Sequence, residues 1–157
     1  MHDCKVLTRR GAMLMLGAAF LMPPHAHAAG RPPVTVHKDP NCGCCSEWIS
    51  HLKRAGFSVT SKNTARLNAV KARLGVPSEL QACHTAEIGT FVVEGHVPAA
   101  AIDRLLAEQP QARGLAVPGM PAGSPGMEGG EPETYDVILF GPQGQRVFAR
   151  FRGDRAL

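Results

Sequence analysis

The sequence contains a single tryptophan, a single tyrosine and no cluster of lysine and arginine. It therefore offers neither the basic stripe nor the stacking aromatics that nucleic-acid binding requires. Its leading apolar stretch, from Ala12 to Met22, falls short of the ~20 residues that a bilayer-spanning helix needs. No internal repeat is present. The neighbourhood of the cysteines does not gather the oxygen ligands that calcium or magnesium would demand. What remains is a soft, sulfur-rich chemistry carried by very few residues.

The first 28 residues read as an export signal. Lys5, Arg9 and Arg10 precede the short apolar stretch, and Ala26-His27-Ala28 ends it with the small-x-small pattern of a cleavage site. Thr8-Arg9-Arg10 also resembles the start of a twin-arginine signal. The expectation is a periplasmic protein with a signal peptide over 1–28, one domain over 29–157, and no stable membrane insertion after cleavage. Cleavage removes three of the 17 basic and one of the 13 acidic residues, leaving 14 against 12. It also removes Cys4. The mature cysteines are then Cys42, Cys44, Cys45 and Cys83, accompanied by His37, His51, His84, His96, Met120 and Met127.

Along the mature chain the pattern predicts an α/β domain. Residues 34–38 alternate as a strand before an Asp39-Pro40-Asn41 turn. A helix is expected from about Cys44 to Ala55, with Trp48, Ile49, Leu52 and Ala55 on one face and Gly56 as its stop. A second strand over 57–61 completes a βαβ unit with a parallel pair. A helix over 66–74, a further turn at 78–80, a third strand over 90–94, a Gly95-His96 turn and a helix from Pro98 to about Gln109 follow. Residues 114–133 carry repeated Pro and Gly around Met120 and Met127 and read as a long loop, of the kind that tends to be functional or disordered. Two strands, 135–140 and 146–151, joined by a Gly141-Pro-Gln-Gly144 turn, close the chain as a hairpin. The expected architecture is thioredoxin-like: a central mixed sheet flanked by helices, with a Gly/Pro/Met loop before a C-terminal hairpin.

Three cysteines fall within Cys42-Gly43-Cys44-Cys45, after a strand and at the start of a helix. Cys42 and Cys45 have the C-x-x-C spacing of a thioredoxin-type redox pair, and Cys44 is an addition to it. A thiol in the first helical turn meets unpaired N–H groups and the positive end of the helix dipole, both of which favour the thiolate. Gly43 lets the backbone bend enough for the sulfurs to converge. Thiolates with thioether and imidazole nearby select Cu(I), zinc or an iron–sulfur cluster. One Cu(I) among four thiolates leaves three uncompensated negative charges, whereas several Cu(I) ions bridged by the same sulfurs approach neutrality. Structural zinc sites usually bring ligands in spaced pairs, so crowded cysteines suit a polynuclear Cu(I) site better. The competing reading is a pair of structural disulfides in an exported domain, weakened because a bond between adjacent Cys44 and Cys45 would be strained. Cys83 is either a buried thiol or, from its place before the third strand, the partner of the helix start. His84 is a candidate ligand or a loop histidine. Met120 and Met127 lack a packing role and could bring thioethers over the sulfurs. His51 and His96 read as ordinary surface residues and His37 as structural.

Four segments together resemble a known family: Lys38-Asp-Pro-Asn-Cys42-Gly-Cys44-Cys45-Ser-Glu-Trp48, Ala82-Cys83-His84-Thr85, Val92-Val-Glu-Gly-His96-Val-Pro98, and the stretch from Val117 to Glu128. The resemblance is to the exported thioredoxin-like proteins of the CopG copper-resistance type, many known only as a domain of unknown function. It implies a periplasmic copper-handling role, with Cys42, Cys44, Cys45 and Cys83 at the positions of the family's copper-cluster ligands. Where thioredoxins present a cis-proline that hinders metal binding, the corresponding segment here presents Cys83. The resemblance thus favours copper ions as ligand, and a copper efflux or chaperone protein as partner. The alternative from another class is a thiol–disulfide oxidoreductase in which Cys42 attacks and Cys45 resolves.

Overall fold

The computed structural model describes residues 30–157, and the expected export signal lies outside the described residues. Eight strands form one mixed sheet in the order β2-β1-β3-β4-β5-β6-β7-β8. The first unit is β1 (Val34–Lys38), α1 (Gly43–Arg54) and β2 (Val59–Asn63), with β1 and β2 parallel, as the pattern predicts. After α2 (Leu67–Leu74) and a 3₁₀ turn (Ser78–Leu80), β3 (His84–Ile88) runs antiparallel to β1, and β4 (Phe91–Glu94) turns back antiparallel to β3. Helix α3 (Ala99–Glu108) leads to β5 (Gly114–Ala116), parallel to β4. The chain ends in β6 (Thr134–Gly141), β7 (Gly144–Arg152) and a short β8 (Arg155–Ala156). No helix among the described residues is long and apolar enough to cross a membrane.

Strand alternation divides the core between the two sheet faces. Val36, Ala86, Val93, Leu115 and Val137 pack with Trp48, Ile49 and Leu52 of α1 and with Ile102 and Leu105 of α3. On the other face Val92, Ala116 and Phe140 meet Leu74, Val76 and Leu80. Trp48 and Leu52 are fully buried, each contributing ~1.5–3 kcal/mol of apolar transfer, which fixes the rotation of α1 and so the direction of its N-terminus.

Three expectations need correction. One strand was expected where β3 and β4 both exist: β3 lies between β1 and β4 with both faces covered, so His84-Thr-Ala-Glu-Ile88 shows no alternation to read. The second strand starts at Val59 rather than Phe57, because Phe57 is drawn into the core just before an otherwise exposed edge strand. Segment 114–133 is not entirely loop, since Gly114–Ala116 is a buried strand too short for a periodicity.

Candidate functional site

The site begins with the turn before α1. Asn41 N–H donates to Asp39 Oδ1 at 2.8 Å, Cys42 N–H donates to the Asp39 carbonyl at 3.2 Å, and the buried Lys38 ammonium donates to the Asp39 carbonyl at 3.0 Å. Cys42 is the N-cap of α1, its Sγ accepting from Cys45 N–H at 3.3 Å, in the role an oxygen side chain usually fills. Cys42 and Cys45 are joined by a disulfide, with Cα atoms 5.4 Å apart, and Cys44 and Cys83 are free thiols. One C-x-x-C bridge is thus present, and the other two cysteines among the described residues stay unbridged.

Cys83 enters from the start of β3. Its Sγ lies 3.9 Å from Cys44 Sγ, which in turn lies 3.6 Å from Cys42 Sγ, while Cys45 Sγ lies 3.6 Å from the Cys83 carbonyl. All four sulfurs fall within 4.8 Å of one another. Burial pushes the Cys83 thiol up to about 12, the neighbouring Cys44 adds to the rise, and Lys71 opposes it. Proton loss from Cys83 therefore needs a compensating cation, which a soft metal ion would supply.

Two histidines flank Cys83. Its Sγ is 3.1 Å from His96 Nε2 and 3.4 Å from His84 Nδ1, and the three residues form a second group able to hold a metal ion. Both rings are fully buried, His84 against Trp48 with ring centroids 4.3 Å apart. Burial keeps both imidazoles neutral, His84 well below the ordinary histidine range and His96 below it. The outer nitrogens, His84 Nε2 and His96 Nδ1, complete no hydrogen bond, although the Gly95 and Pro125 carbonyls approach the rings.

His96 is therefore not the surface residue its turn position suggests: Val92, Val93 and Val97 around it carry the turn into the core. His51 also departs from that reading. It is half-buried and its Nε2 accepts from Ala99 N–H at 3.1 Å, tying α1 to the start of α3. His37 is structural as expected, paired with Glu87 at 2.8 Å.

The Gly/Pro loop closes over the helix start. Gly126, at φ +93°, lies so close to α1 that a Cβ there would stand 2.7 Å from the Cys44 carbonyl oxygen and 2.9 Å from Trp48 N. Met120 Sδ reaches 4.0 Å from Cys44 Sγ with the side chain half exposed. Met127 is half-buried, its N–H donates to Ser124 O at 2.7 Å, and among the hydrogen bonds of the site the thioether that meets a cysteine thiol is that of Met120. Of the sequence candidates, the fold brings together Cys42, Cys44, Cys45, Cys83, His84 and Met120. His96 joins them unannounced.

Comparison with known proteins follows the same residues. A family described as a protein of unknown function, DUF411, matches residues 80–127. No curated protein matches the chain. Two solved structures of copper resistance protein CopG are similar. Form 2 is 48% identical with a TM-score of 0.72, covering 76% of this chain and 98% of that one. Form 1 is 49% identical with a TM-score of 0.72, covering 78% and 99%. With identity of that order over almost the whole length of those proteins, and with the cysteines, the histidine pair and the Met120 loop converging on one point, the chain belongs to the CopG-type copper-resistance family.

Proposed function

We propose that this protein is an exported, periplasmic copper-binding protein that holds Cu(I) in a polynuclear thiolate site and so sequesters it, passes it to an efflux or chaperone partner, or cycles its oxidation state. The observation that carries the reading is the convergence of four sulfurs within 4.8 Å, three from one helix start and the fourth from the residue just before β3. Soft donors of this kind select Cu(I), and bridging by shared thiolates relieves the charge that one ion would leave. Cys42, Cys44, Cys45 and Cys83 hold the metal. His84, His96 and Met120 surround it with nitrogen and thioether donors, and copper resistance in the two similar structures' names fits this chemistry.

The Cys42–Cys45 disulfide favours a second reading, a thiol–disulfide oxidoreductase of the periplasm. Exchange with a substrate dithiol would transfer two electrons and two protons to the bridge, leaving the substrate as a disulfide and Cys42 and Cys45 as thiols. The same reduction would open all four sulfurs to copper.

Anaerobic titration of the reduced protein with Cu(I), against a chelator of moderate affinity, separates the readings. Several coppers per chain are expected, and Cys83→Ser should cripple loading while leaving Cys42/Cys45 exchange largely intact. Less than one copper per chain, together with rapid insulin reduction, would overturn the copper reading. Tight zinc that Cu(I) cannot displace would remove both.

A further inference from the structure

Among the described residues, the most deeply buried charges lie beside the site without touching a sulfur. Lys71 on α2 is 2% exposed and Glu94 at the end of β4 is 0% exposed, and the two form an ion pair. Pairs of this kind are seldom retained for stability, since desolvation offsets most of the attraction and an apolar pair of similar volume often serves as well. Their hydrogen bonds show what they do instead. Glu94 Oε1 accepts from the Ala82 backbone N–H at 2.6 Å, and Oε2 accepts from the Thr85 hydroxyl at 2.6 Å. Lys71 Nζ also donates to Thr85 Oγ1 at 3.0 Å. One carboxylate thus grips the residue before Cys83 and the residue after His84.

The surroundings leave little freedom for another arrangement. Thr85 and Glu94 are register partners across β3 and β4, and Gly95 N–H donates to the His84 carbonyl at 3.1 Å. Gly95, at φ +71°, admits this approach because a Cβ there would stand 2.7 Å from Ala82 Cβ and 2.6 Å from the Val117 carbonyl oxygen. Glu94 therefore sets the Cys83 arm on one side, and lies two residues before His96 on the other. Burial pushes the Glu94 carboxyl up, and Lys71 with the two other donors, the Ala82 N–H and the Thr85 hydroxyl, holds it as the acceptor this geometry requires.

The geometry points to Glu94, held by Lys71, as a positioning residue that fixes Cys83 and His84 against the α1 cysteines. The inference rests on the copper reading only for its metal readout, since the placement of Cys83 beside Cys44 exists without metal. Glu94 works through two hydrogen bonds, and Lys71 works by keeping the carboxylate in place. An uncharged pair that preserves those bonds should therefore suffice, and one that lacks them should not.

The test compares two uncharged replacements, Lys71→Met with Glu94→Gln and Lys71→Met with Glu94→Leu. The glutamine amide can still accept from Ala82 and donate to Thr85, and the leucine can do neither. The copper-free readout is ring formation between Cys44 and Cys83 by phenylarsine oxide, with the Cys42–Cys45 disulfide intact. This trivalent arsenical needs two neighbouring sulfurs. Wild type and the glutamine pair should react within about threefold of each other, and the leucine pair should lose roughly tenfold or more, the order expected for losing one or two hydrogen bonds. In the reduced protein, Cu(I) release should accelerate to a similar degree in the leucine pair, and the leucine pair should add no further loss in a Cys83→Ser background. Thr85→Val, which removes one of the two bonds with little change in shape, should give a smaller effect of the same sign and covers the case in which the leucine pair does not fold. Arsenical reaction at the wild-type rate in a folded leucine pair, or loss in Cu(I) retention that multiplies with Cys83→Ser, would overturn the assignment. Wild-type protein that traps the arsenical but no copper would instead refute the copper reading and leave the positioning role standing.

Discussion

Replacing Gly126 by alanine tests whether the Gly/Pro loop is seated on α1. The new Cβ would stand 2.7 Å from the Cys44 carbonyl oxygen, 2.9 Å from Trp48 N and 3.3 Å from Trp48 Cβ. Two of these are backbone atoms of a helix anchored by the buried Trp48 ring, whose Nε1–H donates to the Val97 carbonyl at 2.9 Å, so the loop has to yield. Gly126 also has φ +93°, where a side chain costs roughly 1–2 kcal/mol before any contact is counted. Gly129→Ala isolates that conformational cost, because Gly129 has φ +113° and no atom within 4 Å of its built Cβ. The difference between the variants is then the steric part alone, about 1–3 kcal/mol for overpacking. For a domain of this size that is on the order of 3–10 °C in Tm. Thermal unfolding followed by circular dichroism measures it. Stopped-flow transfer of Cu(I) to a chelator should show faster release from Gly126→Ala only, as Met120 moves off Cys44. If the two variants melt together and release copper at one rate, the loop does not close the site and the argument fails.

Metal-free protein should lose stability on both sides of neutrality. His84 and His96 are held below the ordinary histidine value of 6.5, so their contribution is present above that pH and is lost on acidification, when the unfolded chain takes up protons that the fold refuses. Cys83 runs the other way: raised from 9.0 to about 12, it contributes below pH 9 and loses that contribution as pH rises towards 12, because the unfolded chain releases a proton that the fold retains. Urea midpoints measured from pH 4.5 to 10 should therefore fall at both ends, and a profile flat below pH 6.5 would contradict the burial of the histidines. Met120→Leu should weaken Cu(I) binding by roughly three- to tenfold, as expected for loss of one soft donor at the edge of a site, whereas Met127→Leu should leave affinity unchanged. Equal losses in chelator competition would mean that the loop offers both thioethers.

Sequence pattern carried the outer frame of the fold further than its middle. The βαβ start was legible because Val34, Val36, Trp48, Ile49 and Leu52 each face one apolar layer, leaving clean periods of two and 3.6. Strand β3 was not, because it is covered on both sides and mixes polar residues that are buried by pairing, as Thr85 is by Glu94 and Lys71. The cysteines were legible by crowding and Cys83 by its place before a strand. His96 was hidden for a reason that applies to Glu94 as well: both sit at the end of β4, where a local Gly turn signals the surface while the tertiary fold covers it with the 117–133 loop. A buried polar residue announces itself only through its partner, and the partners, Cys83 and Lys71, are respectively 13 and 23 residues away.

The position of the disulfide gives the site a logic that neither a plain redox pair nor a plain metal cage would have. Cys42 caps α1 and Cys45 is fully buried behind it, so the bridge ties the cap to the first turn of the helix. Cys44, in the first turn of α1, and Cys83, just before β3, are left free and meet through the tertiary fold, 39 residues apart in sequence. Oxidation therefore removes two of the four thiolates from metal chemistry, without dispersing the group, since all four sulfurs remain within 4.8 Å. Thiolates bound to metal and sulfurs joined in a bridge are mutually exclusive uses of Cys42 and Cys45. In the oxidised chain the donors left around Cys83 are one thiol from α1, two neutral imidazoles and an exposed thioether, a smaller and more nitrogen-rich set than the reduced chain offers. If the site holds copper as proposed, fewer thiolates and more nitrogen would shift its preference away from Cu(I), and the redox state of one cysteine pair would set both the capacity of the site and the oxidation state of the copper it favours.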